Sequence, residues 1–437
     1  MSSTDTTPLL KRSPISWVPT LYFAEGLPFY TVALIAGLMY KSLGESNDTI
    51  ARWTGILGLA WVFKPLWSPL LEAARSKKHL VVVFQAIGGA CLLLVALSVQ
   101  LPGYFAISIG VLGLVALASA THDIAADGLY IAALSNKQQA AYAGWQGAFF
   151  NAAKFVALGG LVILAGYLEK RLGVANAWSI VFGLLGVMMA ALALYHTWAL
   201  PGTRNVVREA GSADIGDTLK NVIVEFFRKP GIWLAILFIV LFRAGEGQIQ
   251  TIGPLFLREA RDHGGLGLST DEVGLVYGTV GTAAFLVGSV LGGYFTSWLG
   301  LKRAMLWLIL ALNLPNAVFY FLGVALPTSL PVISAALGLE MFGYGFGFVG
   351  VILFIMQVVA VGKYQTAHYA LGTGVMQLGM VLFKSISGDI QTALGYERFF
   401  LWVLVSAIPV LLLSRFVRIP GEEVTRQQEP NARPVEA

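Results

Sequence analysis

The sequence predicts an all-α polytopic membrane protein of twelve transmembrane helices arranged as two six-helix halves. Three observations predict it. Of the 437 residues, 57% are hydrophobic and 12% charged, about half the charged share of a soluble globular protein. The apolar residues gather into twelve runs, and a membrane-crossing helix needs about 20 of them. The longest polar stretch, 200–229, falls between the sixth and seventh runs.

So little polar surface excludes a soluble enzyme, a nucleic-acid-binding domain and a disordered chain. The net charge is only +5 and no basic run is long, so no nucleic-acid partner is expected. Cys91 is the single cysteine and the five histidines are scattered. No disulfide, metal site or cofactor is therefore expected.

In chain order the spans are read as 15–40, 52–71, 79–100, 103–134, 138–167 and 176–199, then 230–257, 272–297, 303–326, 331–361, 365–391 and 397–417. The longer ones can tilt. The polar leader MSSTDTTPLLKRSP precedes a long apolar run without a small-residue cleavage site, which reads as a retained helix. With the N-terminus inside, eighteen of the 29 Lys and Arg fall on the cytoplasmic side, seven on the other and four within spans. That asymmetry predicts both termini in the cytoplasm and, with the resemblance described below, a place in the cell inner membrane. The expected organisation is a half over 1–199, a linker over 200–229 and a half over 230–437. Asp217–Arg228 is expected to form a short amphipathic helix on the membrane surface.

The halves look duplicated. Leu21-Tyr-Phe-Ala-Glu25-Gly26 resembles Leu241-Phe-Arg-Ala-Gly-Glu246-Gly247, and the Tyr142 and Tyr369 segments match at a similar offset. Parallel six-span halves are the layout of major facilitator transporters. Their signature turn between the second and third spans is a Gly, an acid, a Gly and a basic pair. Gly293…Ser297…Gly300-Leu-Lys302-Arg303 resembles it without the acid. Ser68…Glu72…Arg75-Ser-Lys77-Lys78 keeps the acid and loses the glycines. Glu72, Arg75, Lys302 and Arg303 are therefore candidate gate residues on the cytoplasmic side. Ordinary positive-inside charge explains the bases as well, but not Glu72.

A charge inside a span costs ~2.5–3.5 kcal/mol or more, so it faces a cavity or a partner. Glu25, Lys64, Asp123, Lys154, Arg243, Glu246, Glu340 and Lys384 all fall within spans. At about 1.5 Å per residue, Glu25, Lys64, Lys154, Arg243 and Glu340 lie near the midplane. Asp123 and Asp127 lie nearer the cytoplasmic mouth. They share a helix face four residues apart, as do Arg243 and Glu246 three apart. Glu25 is read either as a proton-coupling carboxylate or as half of a permanent salt bridge to Lys64 or Lys154. His122 is read as a proton relay beside Asp123 or as a packed ring. Trp145, Gln146, Phe149, Asn151 and Lys154 put stacking, amide and cationic groups on one helix. They suit a solute with sugar or ring faces and carboxylates. Gly343-Tyr-Gly-Phe-Gly347 predicts close helix approach.

Two stretches resemble a narrower family. Phe63-Lys64-Pro-Leu-Trp-Ser-Pro-Leu70 is similar to the second-span signature of the AmpG-type anhydromuropeptide permeases. Ala118-Ser-Ala-Thr-His122-Asp123-Ile124-Ala-Ala-Asp127 is similar to their fourth-span signature. Glu25-Gly26-Leu27-Pro28 resembles their Ser-Gly-Leu-Pro, with glutamate for serine. The resemblance covers the first half better than the second. It carries Lys64, Asp123 and Asp127 over directly, and sets Lys154 near the family's fifth-span arginine. It implies a proton-driven inner-membrane importer of cell-wall-derived muropeptides, working by alternating access in the lipid bilayer; the protein is expected to be a monomer. Relatives sharing these signatures carry siderophores or acetyl-coenzyme A, and those alternatives stay open. A membrane-embedded transferase is the competing class. Its only candidate constellation is His122-Asp123 with Asp127, and charges spread over both halves favour transport.

Overall fold

The computed structural model describes residues 13–72, 76–134, 136–202, 215–362 and 364–419, and among these the chain is entirely helical. Among the described residues, ten helices are long and apolar enough to cross a membrane. The difference from twelve has a local cause at two places. Span two consists of Asn47–Leu57 and Leu59–Glu72. It breaks at Gly58, so neither piece is long enough alone. Spans eleven and twelve run on as Ala367–Leu413, but Gly395 turns the chain between them with φ 72° and ψ 167°. That conformation is open to glycine and strained for any other residue.

The remaining spans are Pro14–Ser42, Lys77–Ser98, Tyr104–Ala133, Trp145–Leu172 and Val174–Ala199, then Ile232–Arg258, Thr270–Leu299, Leu301–Ala325 and Leu330–Val359. They are spans one, three to six, and seven to ten. Four of them contain a π-helical stretch: Thr31–Ile35, Phe155–Leu161, Gly274–Val280 and Ile355–Val359. The first follows Pro28, which lacks an N–H and disturbs the turn before it.

The small-residue run in span ten sets helix contacts as expected. A methyl group at Gly345 would strike the Phe285 carbonyl of span eight, and one at Gly347 the Leu308 carbonyl of span nine. Alternate glycines thus let one helix pack against two neighbours at backbone distance. Large apolar side chains on the outside, such as Leu194 and Trp298, give the bundle the surface a bilayer requires.

The linker helix forms as Ile215–Arg228, but it docks on the second half. Phe226 is buried, and its ring centroid lies 5.6 Å from that of His368. His368 Nε2 donates to the Val222 carbonyl at 3.1 Å. Lys229 Nζ donates to the carbonyls of Val359 and Val361 at 2.6 and 2.8 Å. The Val222 and Phe226 side of the helix therefore covers protein, while Phe227 stays exposed and stacks on the exposed Trp233.

Candidate functional site

The intramembrane charges gather into two clusters, one per half. In the first half Lys64 Nζ lies 2.5 Å from Asp123 Oδ2. Glu25 is in hydrogen-bonding reach of the Asp123 carboxyl, and its own Oε2 is buried without a partner. Tyr22 Oη donates to Asp127 at 3.0 Å and accepts from Gln146 Nε2 at 2.6 Å. Spans one, two, four and five each supply a member. Span one can come this close to span five because Gly26 faces the Phe150 carbonyl and Ala153, where a side chain would clash.

Asp123 is buried. The expected position at a solvated mouth therefore fits Asp127, which is exposed, better than Asp123. Lys64, not Lys154, is the cation at the Glu25–Asp123 pair. The surroundings of His122 fit the packed one of its two readings. Its Nε2 meets the Gln85 amide at 2.9 Å, and Gln85 Oε1 meets His196 Nδ1 at 2.9 Å. His196 Nε2 meets Thr20 Oγ1 at 3.0 Å. This buried chain joins four helices and accounts for His122 as a packing element.

In the second half Arg243 grips Glu246 with two bonds, Nε to Oε2 at 2.7 Å and Nη2 to Oε1 at 2.5 Å. Both residues are buried. Arg243 sits where the helix breaks, at φ −102° and ψ 10°, so Glu246 falls in the first turn of the next segment, where the helix dipole favours an acid. Gln250 Nε2 donates to Glu246 Oε1 at 2.6 Å and to Tyr344 Oη at 2.8 Å. The pair is intrahelical and its hydrogen-bonding capacity is largely filled.

Between the halves lies a cavity of about 320 Å³. Its walls are largely aromatic: Phe29, Tyr30, Trp61, Phe150, Phe285, Tyr344 and Phe348, with Met376 and Met380. Thr54, Asn151, Lys154, Arg243, Gln250, Gln377 and Lys384 add polar groups to the lining. Lys154 Nζ lies 4.9 Å from the Phe285 ring centroid and 6.0 Å from that of Tyr30. Lys384 Nζ donates to the Ala33 carbonyl at 2.9 Å. Glu340 is buried with one oxygen unpartnered. Trp145 stacks on Phe149 at 5.8 Å, and neither lines the cavity. Most of the aromatic wall and Lys384 were not among the candidate site residues. The only sequence signal for Lys384 was a single charge in an apolar span.

One face is sealed. Lys41–Glu259 at 2.5 Å, Arg52–Asp389 at 2.6 Å, Lys170–Asp271 at 2.8 Å and Arg258–Glu169 at 3.9 Å all join the two halves. Asn47 adds bonds to Gln391 and Tyr396 at 2.9 and 2.6 Å. All lie opposite the face rich in Lys and Arg. Four of the seven basic residues on that sparse side are used in this way. At the basic face no ion pair joins the halves among the described residues. Lys302 and Arg303 are exposed there, whereas Arg75 and the Glu72 side chain lie outside the described residues.

Comparison with known proteins agrees with this architecture. The sequence profile of the Major Facilitator Superfamily matches residues 20–383. An anhydromuropeptide permease of Escherichia coli (strain K12) is 26% identical over 413 residues, covering 90% of this chain and 77% of that one. A protein named transporter AmpG 4 in Rickettsia conorii is 21% identical over 414 residues, covering 91% and 94%. These alignments run through both halves, further than the motif resemblance alone. The crystal structure of the nucleoside transporter NupG superposes with a TM-score of 0.67 at 16% identity, covering 92% of this chain and 97% of that one.

Proposed function

The chain belongs to the Major Facilitator Superfamily, and on that premise we propose that this secondary transporter couples proton entry to import of a cell-wall-derived muropeptide by alternating access. It is a multi-pass membrane protein and not an enzyme. In this reading it sits in the inner membrane with both termini cytoplasmic. The sealed face is then the outer one, and the cavity is served from inside.

The observation that carries the proposal is the first-half cluster, where Glu25, Asp123 and Asp127 share one cation, Lys64. Two carboxyls in contact attract each other only when one holds a proton. With Asp123 paired to Lys64, that proton belongs on Glu25. Opening the cluster to the inner solution separates the carboxyls and lets the proton leave. The cargo assignment is supported by the relatives named above and by the cations of the cavity. The aromatic walls favour a second reading, a siderophore or acetyl-coenzyme A permease of the same fold.

The test is uptake of labelled anhydromuropeptide into membrane vesicles with and without an inward proton gradient. Accumulation above the outside concentration only with the gradient is expected. Equal accumulation in both conditions would remove the proton from the cycle, and no uptake in either would remove the cargo.

A further inference from the structure

Lys154 and Lys384 line one cavity from opposite halves. The other two intramembrane cations are neutralised, Lys64 by Asp123 and Arg243 by Glu246. Neither Lys154 nor Lys384 has a carboxylate within ion-pair distance among the described residues. Glu340 and Glu246 act on Lys154 only from farther off. A buried cation without a partner is costly, so two in one cavity mark a place where negative charge arrives from outside the chain. Lys384 instead rests on the Ala33 carbonyl, within the π-helical Thr31–Ile35 of span one. There the helical bonding shifts from i→i+4 to i→i+5.

We infer that Lys154 and Lys384 form a clamp for a ring-bearing organic carboxylate, one lysine from each half, and that the cargo carboxylate takes Lys384 from Ala33. The inference rests on the transport reading above and narrows its cargo. The aromatic faces around the lysines would hold the ring by stacking and apolar contact. Lys384 already bridges the halves, from span eleven to span one. Its transfer to cargo replaces a contact made by the empty carrier with one made through the solute. Binding is thereby coupled to the packing of the halves.

The experiment uses the full chain in lipid nanodiscs and titrates two probe pairs. One is a naphthalene dicarboxylate and its diamide. The other is an anhydromuropeptide with free and with amidated peptide carboxylates. The wild type should prefer each carboxylate form by about tenfold, the weight of a charge-assisted contact. Lys384→Gln should remove most of that preference, read as the ratio of carboxylate to amide affinity within each pair. Lys384→Arg should keep it. A Lys384→Gln protein with the wild-type preference overturns the clamp. Lysine-dependent binding of the naphthalene pair with no binding of either muropeptide keeps the clamp and removes the muropeptide. Equal binding of free and amidated muropeptide does the reverse.

Discussion

The two halves carry charge inside the membrane in different arrangements. The first half has three carboxylates around one lysine, with one carboxyl oxygen of Glu25 left unbonded. The second half holds a closed Arg243–Glu246 pair with two of the three guanidinium nitrogens and both carboxylate oxygens engaged, and leaves Lys384 beside the cavity. An unfilled carboxyl can change its proton, and an unfilled cation can change its ligand. A closed ion pair does neither. On the reading proposed above, proton handling belongs to the first half and anion handling to the interface, and Glu340, with its own unbonded oxygen, is the second-half group to set against Glu25.

The strongest way to break that contrast is Asp123→Asn. It removes the one carboxylate in direct contact with Lys64, a partly buried cation, and losing one partner of a fully buried pair costs about 3–5 kcal/mol, an upper bound here because Glu25 and Asp127 remain nearby. Melting temperature and transport should both fall. Adding Lys64→Gln should restore the melting temperature but not proton-driven uptake. Recovery of uptake in the double variant would make the pair purely structural.

Glu25→Gln comes next. Gln keeps the shape but cannot release a proton. Accumulation driven by a gradient should stop, exchange of solute across the membrane should persist, and melting temperature should hold. A joint fall of both transport modes with stability would return Glu25 to a salt-bridge role, and intact accumulation would end the coupling assignment.

The second-half pair supplies the control. Glu246→Gln alone should lower stability, because it leaves Arg243 buried and unpaired. Arg243→Met with Glu246→Leu should be close to neutral, since apolar residues often replace buried pairs without loss. Its remaining transport should keep the wild-type dependence on the proton gradient, read as the ratio of uptake with and without it. A lost ratio would put coupling in the second half too.

The smallest effects belong to the sealed face. Arg52 and Asp389 are half-exposed, and such a pair contributes at most ~1 kcal/mol. Arg52→Gln should only slightly raise the fraction open there, measured by the distance between labels on spans two and eleven. Glu259 gives the sign of the pH response. Burial works against its charge, but the Lys41 ammonium and the backbone N–H of Ala260 hold the carboxyl below the usual glutamate range. A contact of that kind is complete above the ordinary carboxylate range and is lost as pH falls through the lowered value. Closure between spans one and seven should therefore be flat from neutral to mildly acid pH. Opening at mildly acid pH would transfer pH sensing from Glu25 to this face.

The spans were legible because a bilayer demands long apolar runs, and only the breaks at Gly58 and Gly395 altered the count. Lys64 and Asp123 stood out because charge in an apolar run is costly. Which charges meet was not legible. Residue spacing reports depth along a helix, but the facing of one helix toward another depends on packing. Lys154 was accordingly read as a possible partner for Glu25 and lies instead among the rings of Phe285 and Tyr30. The seal escaped for a related reason. Lys41, Arg52, Lys170 and Arg258 look like ordinary loop and helix-end charges, and their partners lie on the far half of the chain.

That seal makes ionic strength a control on turnover. Each time the sealed face opens, four cation–carboxylate contacts must separate, several of them at the water boundary. Dissolved salt screens charges over about 8–10 Å at physiological strength and over about 3 Å at 1 M. Salt on that side therefore weakens the closed arrangement while leaving the buried clusters little changed. A carrier of this construction cycles faster in brine than in dilute buffer wherever opening that face limits the rate.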